Sequence, residues 1–247
     1  MSDTRSCGKK KIVVLNASPN NDKSSTMSVT RAFVQGITSA TECEVEYIDL
    51  SDLKIKPCLG CLSCWGRTEG ECVIKDDDIP MMKEKIENAD VFIESFPLFF
   101  FGMPGPLKTF TDRMLSMLCT YKGQQPPEDG KSFHGIRNPK KDRRFIIISS
   151  CAYDRAESVY DPLLSQFDCI CGRKNYLPIL CPQLYTLHKL DSESRKARYL
   201  KKFTEAGKLF AAEGTLSAET LKNLAKPPFS EETYKVLINQ FWDSQKK

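Results

Sequence analysis

The chain alternates short apolar runs with longer amphipathic stretches, and the two periods separate strands from helices. Ile12-Val13-Val14-Leu15 is a continuous apolar run, as expected of a strand buried on both faces. Polar residues from Asn16 to Ser25 follow it. Val29, Ala32, Phe33, Ile37 and Ala40 then recur at helical spacing on one face. Val45 and Tyr47, with Cys43, alternate with acids and predict a second strand ending near Ile48. Val91-Phe92-Ile93 and Phe145-Ile146-Ile147-Ile148 read as further buried strands, and Tyr176 to Leu180 as a fifth. Helices are predicted over Met103–Leu118, entered through Pro104 and Pro106, over Tyr160–Ile170 and over Arg195–Ala212. This alternation predicts an α/β fold with a parallel sheet.

Two segments break the rhythm. Residues 50–78 carry a group of cysteines and little periodicity, and a helix is expected to follow them. Residues 121–142 are rich in Pro, Gly and charge, the composition of a binding loop or a disordered one. From Gly214 the chain outlasts a five-strand domain. We therefore divide it into a domain over 1–212, with a cysteine-rich insertion at 50–78, and a helical extension over 213–247. In the extension Tyr234, Leu237, Ile238, Phe241 and Trp242 form one apolar stripe, with Ser230 placed to cap the helix and Glu231 and Glu232 in its first turn. A lone helix this short is marginal in water, so the stripe is expected to bury against its own domain or another subunit.

Composition narrows the class. With 247 residues, 40% of them hydrophobic, the chain can bury a sizeable core. A net charge of +4 is too mild to imply nucleic-acid binding. No apolar stretch approaches the ~18 residues of a membrane span. The apolar block Ile12–Leu15 after the polar, basic start is shorter than a signal-peptide core of ~7–15 residues. A soluble, cytoplasmic protein is expected, with no membrane or nucleic-acid partner. Eleven cysteines are then unusual, because a reducing compartment does not favour disulfides; clustered cysteines there hold metal or do redox work.

The first strand–turn–helix unit carries Asn16-Ala17-Ser18-Pro19-Asn20-Asn21-Asp22-Lys23-Ser24-Ser25-Thr26. Hydroxyls gather where the helix begins, and backbone N–H groups with the helix dipole favour an anion there. Neither G-x-G-x-x-G nor G-x-x-x-x-G-K-[ST] is present, so a dinucleotide or Walker loop is not indicated. A hydroxyl-lined loop suits a phosphomonoester such as the tail of FMN, with Ser18, Asn20, Ser24, Ser25 and Thr26 as candidates. Alternatively, Ser24 or Ser25 simply caps the helix.

Asn16-Ala17-Ser18-Pro19 resembles the phosphate loop of the NAD(P)H-dependent FMN reductase family. Ser95-Phe96-Pro97-Leu98-Phe99-Phe100-Phe101-Gly102-Met103-Pro104-Gly105-Pro106-Leu107-Lys108 resembles that family's flavin-ring loop, and Phe110-Thr111-Asp112-Arg113 continues the likeness, which covers roughly residues 10–180. The resemblance implies a flavodoxin-like three-layer sandwich, a five-stranded parallel sheet of order 2-1-3-4-5, and FMN at the carboxyl ends of the strands. It also implies dimers or tetramers, and in the subunit alternative the stripe at 234–242 would also wall the flavin site. The chain departs from the family in having Ala17 where Gly is frequent, Asn20 where Arg is frequent, and Lys23-Ser24-Ser25 in place of a Gly-Asn-Thr run; Lys23 is then the replacement phosphate cation. Physically, an isoalloxazine needs a flat apolar wall and close backbone groups. Pro97, Leu98, Phe99 and Phe100 are candidates for the wall, Gly102 and Gly105 for close approach. Ser150 and Cys151, after the fourth strand, are expected to reach the same place.

Cys58, Cys61, Cys64 and Cys72 give C-x2-C-x2-C-x7-C. A C-x2-C-x2-C start serves [4Fe–4S] ligation in bacterial ferredoxins. Zinc usually takes two separated C-x2-C arms, and four free thiols are the plainest alternative. A flavodoxin-like chain with such a run between the second strand and second helix resembles the iron–sulfur flavoproteins of anaerobes. The acids of Lys75-Asp76-Asp77-Asp78-Ile79 match that family too, and helix capping accounts for them. Cys7, Cys43, Cys119, Cys151, Cys169, Cys171 and Cys181 are scattered and are given no metal. His134 and His188 lack any partner pattern, so a Ser-His-Asp triad has no support. The basic run Arg137 to Arg144 reads as a solvated edge; the alternatives are a surface for an acidic electron carrier or a nicotinamide phosphate.

The expectation is an FMN-dependent oxidoreductase moving electrons between NAD(P)H and an acceptor, with a [4Fe–4S] cluster as one-electron relay. The alternatives are a ferredoxin-linked electron carrier that does not use nicotinamide, a cluster-free FMN or quinone reductase, and a zinc-stapled binding module.

Overall fold

The computed structural model describes residues 9–120, 134–173, 175–190 and 193–246. Cys7 and residues 121–133 of the long loop lie outside them. Five strands, β1 (Lys10–Asn16), β2 (Cys43–Asp49), β3 (Val91–Pro97), β4 (Arg144–Ser150) and β5 (Leu177–Cys181), form one sheet. All pairs are parallel and the order is β2-β1-β3-β4-β5, as the resemblance implied. The strand order reverses beside β1, so the loops leaving β1 and β3 diverge around a crevice at their carboxyl ends.

Each strand feeds a helix whose apolar face covers the sheet. On one face α1 (Ser25–Ala40), α5 (Leu184–Leu190) and α6 (Glu193–Glu213) pack over Ile12, Val14, Ile93, Ile146, Ile148 and Ile179. On the other, α2 (Ile79–Asn88), α3 (Gly105–Arg113) and α4 (Asp161–Cys171) pack over Val13, Leu15, Phe92, Phe96 and Ile147. Alternate residues of β1, β3 and β4 thus serve opposite cores, which is why these strands read as apolar runs. Among the described residues, no helix is long and apolar enough to cross a membrane.

The extension contains α7 (Ala218–Leu224) and α8 (Glu231–Gln245). Leu216, Leu224, Phe229 and Tyr234 join the same core cluster as α1 and the sheet, with Leu237 and Ile238 packed against it. Phe241 meets Tyr185 edge-on at 5.6 Å, and Trp242 is exposed. The stripe on α8 therefore lies against its own chain except at its last residue. Ser230 caps α8, its hydroxyl accepting from the Thr233 amide at 3.3 Å.

Two expected elements differ. The helix predicted to reach Leu118 ends at Arg113 and tightens into a 3-10 turn over Met114–Met117. There the Trp65 indole N–H donates to the carbonyls of Leu115 and Leu118, both at 3.1 Å, from outside the helix. The acids at 76–78 do not cap α2 by its first turn. Asp78 holds the N-cap position, but its carboxylate accepts from the Lys54 amide at 2.6 Å, while Asp77 faces Arg113 and takes only the Ile79 amide of the helix, at 3.3 Å.

Candidate functional site

The end of β1 is held on two sides. The Ala17 amide donates to the Ser95 carbonyl at 2.8 Å, and the Asn16 side chain donates to Asp49 at 2.7 Å. The Asn16 side-chain oxygen then accepts from the Ser18 amide, and the Ser18 hydroxyl from the Asn20 amide, curling the chain into one 3-10 turn over Asn21–Lys23. Ser24 caps α1, accepting from the Met27 amide at 3.5 Å. The amides of Ser25 and Thr26 cannot bond within the helix, and no described group accepts from them. Two N–H groups without a described acceptor and the helix dipole thus lie beside the hydroxyls of Ser18, Ser24 and Ser25, a setting that favours an anion. Lys23 is exposed at the rim of this turn and Asn20 beside it.

Thr26 is placed differently from its neighbours. Its hydroxyl is buried and meets that of Ser150 at 2.6 Å, and Thr30 meets Ser95 in the same way at 2.8 Å. These two hydroxyl pairs lock the start of α1 onto β4 and β3. Thr26 and Ser150 therefore engage each other and hold the loops in place.

The loop after β3 is anchored by the Leu98 amide on the Ser150 carbonyl at 2.7 Å. Phe99 and Gly102 then exchange backbone bonds at 3.0 and 2.9 Å, closing a tight turn with Phe100 and Phe101 at its tip. Both tip residues have positive φ, 47° and 63°, a conformation that suits Gly or Asn and costs a bulky residue about 1–2 kcal/mol. Phe100 is fully exposed, Phe99 and Phe101 are partly so, and Phe101 stacks on Tyr153 at 5.3 Å. Strain and exposed aromatic surface coincide at one turn, which is where function is sought. Leu98, by contrast, turns into the core at 8% exposure, and Pro97 is half-buried at the strand end.

Cys151, just past β4, is buried and donates its amide to the Cys181 carbonyl at 3.1 Å. Burial pushes its thiol up despite a hydrogen bond with Tyr160, so it stays protonated at neutral pH. Gln183, at φ 57°, donates through its amide side chain to the Asp154 carbonyl at 3.0 Å and accepts from the Phe229 amide at 3.1 Å. Tyr234 of α8 donates to the Ala152 carbonyl. The extension thereby fixes the third loop of the site. Nothing in the sequence singled out Gln183.

The four candidate ligand cysteines lie together on the α2–α3 side. Cys58 and Cys61 are exposed, Cys72 is half-buried and Cys64 is buried. Burial pushes the Cys64 thiol up, and the neighbouring thiols of Cys72, Cys58 and Cys61 add to the effect, which places all four within electrostatic reach. Cys61 is held below the usual thiol range by hydrogen bonds from Ser63 and by Arg67. The donor set is soft and chemically suited to iron or zinc. Among the described residues, however, no three His, Cys, Asp or Glu side chains converge on a point that could hold a metal ion. Arg113 lies under this segment, 1% exposed, and pairs with Asp77. Burial opposes its charge, but the bonds to Asp77 and the nearby Cys72 thiol outweigh burial and hold its proton more tightly.

The remaining candidates lie elsewhere. Arg137 pairs with Glu69, Lys140 with Asp90, Arg143 donates to the Glu87 carbonyl and Arg144 to Gly214, so this basic run binds its own chain. His134 contacts the Cys119 carbonyl at 3.0 Å and packs on Trp65.

Comparison with known proteins agrees with the fold. A family described as the flavodoxin-like fold matches residues 10–168. An iron–sulfur flavoprotein of Methanocaldococcus jannaschii is 33% identical over 103 residues, 42% of this chain and 51% of that protein. The matched stretch thus spans about half of that relative's length. A Haemophilus influenzae protein named as an uncharacterized NAD(P)H oxidoreductase is 28% identical over 188 residues, 75% of this chain and 88% of that protein. An FMN-dependent NADH-azoreductase from Bacillus anthracis, solved in complex with FMN, superposes with a TM-score of 0.58 at 17% identity, covering 82% of this chain and 100% of that one.

Proposed function

The chain belongs to the flavodoxin-like fold family, and from that premise we propose that it is an FMN-dependent oxidoreductase taking electrons from NAD(P)H. The observation that carries the reading is the meeting of three loop ends at one edge of the sheet. These are the open amides of Ser25 and Thr26, the aromatic turn Phe99–Gly102 and the Cys151–Tyr153 loop. The names of the Haemophilus and Bacillus proteins support the choice of nicotinamide and FMN.

In this reading Ser18, Ser24, Ser25 and the two open amides hold the phosphate, with Lys23 as its charge partner. Phe99 and Phe100 supply flat apolar surface, and Gly102 presents backbone close to the ring. Thr26, Ser150 and Tyr234 keep these loops in register. Bound FMN supplies hydride acceptance and its release in one- or two-electron steps. Cys58, Cys61, Cys64 and Cys72 would hold a [4Fe–4S] cluster, which supplies a one-electron relay. The name of the Methanocaldococcus relative and the four-thiol donor set support this second part.

Ser24 is also the helix cap, so the phosphate test leaves it in place. Replacing Ser18 and Ser25 together by Ala removes two hydrogen bonds to a charged group, each worth about 1.5–3 kcal/mol. FMN affinity measured by fluorescence titration is expected to fall by at least tenfold. Unchanged affinity would place the phosphate elsewhere. For the cluster, protein purified or reconstituted under anaerobic conditions is expected to carry about four irons per chain and broad absorption beyond the flavin bands. Stoichiometric zinc, or no iron after reconstitution, would refute it and leave the FMN reading standing.

A further inference from the structure

We propose that Arg113 is the positioning residue of the cysteine site, a clasp that closes both ends of the cysteine segment against the end of α3. The proposal rests on the reading of the four thiols as metal ligands, and concerns how the apoprotein keeps them together.

The clasp is visible in its hydrogen bonds. One guanidinium nitrogen of Arg113 donates to the Lys56 carbonyl at 2.7 Å, two residues before Cys58. The other donates to the Ile74 carbonyl at 3.2 Å, two residues after Cys72. Both also meet the Asp77 carboxylate, and Asp77 in turn accepts from the Lys56 amide at 3.1 Å. One buried ion pair, with both side chains at 0% exposure, therefore grips the chain where it enters and leaves the cysteine segment.

Apolar packing does not set the thiol positions at the start of the segment. Leu59 is 71% exposed, and Leu62 and Val73 are also exposed, so no apolar packing fixes Cys58 to Leu62. The segment's other ties are the exposed exchange between Lys54 and Asp78 at 2.6 and 2.9 Å and the exposed Lys56–Asp76 pair at its ends, and the Trp65 indole on Leu115 and Leu118, the Lys83 ammonium on the Gly70 carbonyl at 2.7 Å and the Arg137–Glu69 pair in its middle. The buried tie at its ends reaches two carbonyls and a carboxylate at once. A planar guanidinium does this, whereas an ammonium on a flexible stem does not present the same fork. Arg113 is the last residue of α3, and that helix starts at Gly105, directly after the aromatic turn. The clasp thus fastens the cysteine segment to one end of a helix about 13 Å long whose other end carries the Phe99–Gly102 turn.

Removing Arg113 alone would strand a buried Asp77 charge, so the test uses the paired change Arg113→Met with Asp77→Leu in the full chain. Two readings are taken: alkylation of each cysteine by iodoacetamide in the metal-free protein, and iron bound after anaerobic incubation with ferrous iron and sulfide. The paired variant is expected to alkylate Cys64 about tenfold faster, with exposed Cys169 changed by less than about twofold, as local opening of one segment requires. Iron is expected to fall from about four per chain to about none. Arg113→Lys is expected to lose iron as well. Asp77→Asn, which keeps the shape and removes one charge, is expected to unmask Cys64 by about threefold, and gives the answer should the paired variant not fold. Protection of Cys64 at the parental level in these variants overturns the proposal, as does full iron uptake by Arg113→Lys. A parent protein that binds no iron refutes the cluster, and the clasp is then decided by alkylation alone.

Discussion

Gly207→Ala is expected to lower the melting temperature by about 4–8 °C, read by circular dichroism, with Gly36→Ala giving a similar loss. The two glycines face each other where α1 crosses α6. A Cβ built on Gly36 would stand 2.0 Å from the Thr204 carbonyl oxygen and 2.9 Å from the Gly207 Cα; one on Gly207 would stand 2.0 Å from the Phe33 carbonyl oxygen. The obstructing atoms are backbone, so no side-chain rotation can relieve the clash and the helices must separate. Separation would open the contacts among Phe33, Ile37, Phe203, Ala206 and Phe210 around the crossing. Overpacking of this kind costs about 3 kcal/mol, more than the ~1 kcal/mol that Ala returns through helix propensity. Gly105→Ala is the control, because a Cβ there meets nothing within 4 Å. A Gly207→Ala protein that melts with the parent would show that the two helices do not approach this closely.

That crossing also marks how far sequence reasoning reaches. β1, β3 and β4 were legible because strands buried on both faces are apolar runs, and Ile12–Leu15 or Phe145–Ile148 fit little else, while the edge strand β2 was legible from its alternation with acids. The long helices were legible from their period. Gly36 and Gly207 look like weak points in two helices until both are known to meet, and that is a property of the pair. The short α5, Leu184–Leu190, gave no period to read in seven residues. The 3-10 turn at Met114–Met117 depends on Trp65, some fifty positions away in the chain.

The candidate site divides in the same way. Motif order brought the β1, β3 and β4 loops to one edge, and the structure places them there. Which atoms face outward depended on contacts between distant residues. Thr26 looked like one more hydroxyl at the helix start, yet it meets Ser150. Leu98 looked like part of a wall, yet it fills the core. Positive φ at Phe100, Phe101 and Gln183 has no sequence signature, since none is Gly, Asn or Asp. Asp77 looked like a helix-capping acid; its partner Arg113 lay in a motif assigned to a different loop.

At pH 7, Glu94→Gln is expected to be about 3 kcal/mol more stable than the parent, rising to about 5 kcal/mol above pH 8. Glu94 lies in the middle of β3, 4% exposed, paired in register with Leu15 on one side and Ile147 on the other. Its side chain faces the core beneath α2, α3 and α4, and one carboxyl oxygen has no hydrogen-bond partner. Burial raises its pKa from 4.5 to about 8. Below pH 4.5 the carboxyl is protonated whether the chain is folded or not, and folding costs nothing on its account. Between 4.5 and about 8 the unfolded chain releases a proton that the native state keeps. Native stability therefore falls by about 1.4 kcal/mol per pH unit across that window and levels off above it. Glutamine has nearly the same shape and cannot ionise, so it removes the slope while leaving the packing around Leu15 and Ile147 intact. Urea unfolding of parent and variant at pH 5, 7 and 8.5 is the measurement, and the expected result is two curves that nearly meet at pH 5 and diverge upward. Parallel curves would mean that Glu94 is hydrated or paired in the native protein, and that its neighbours do not form a dry core.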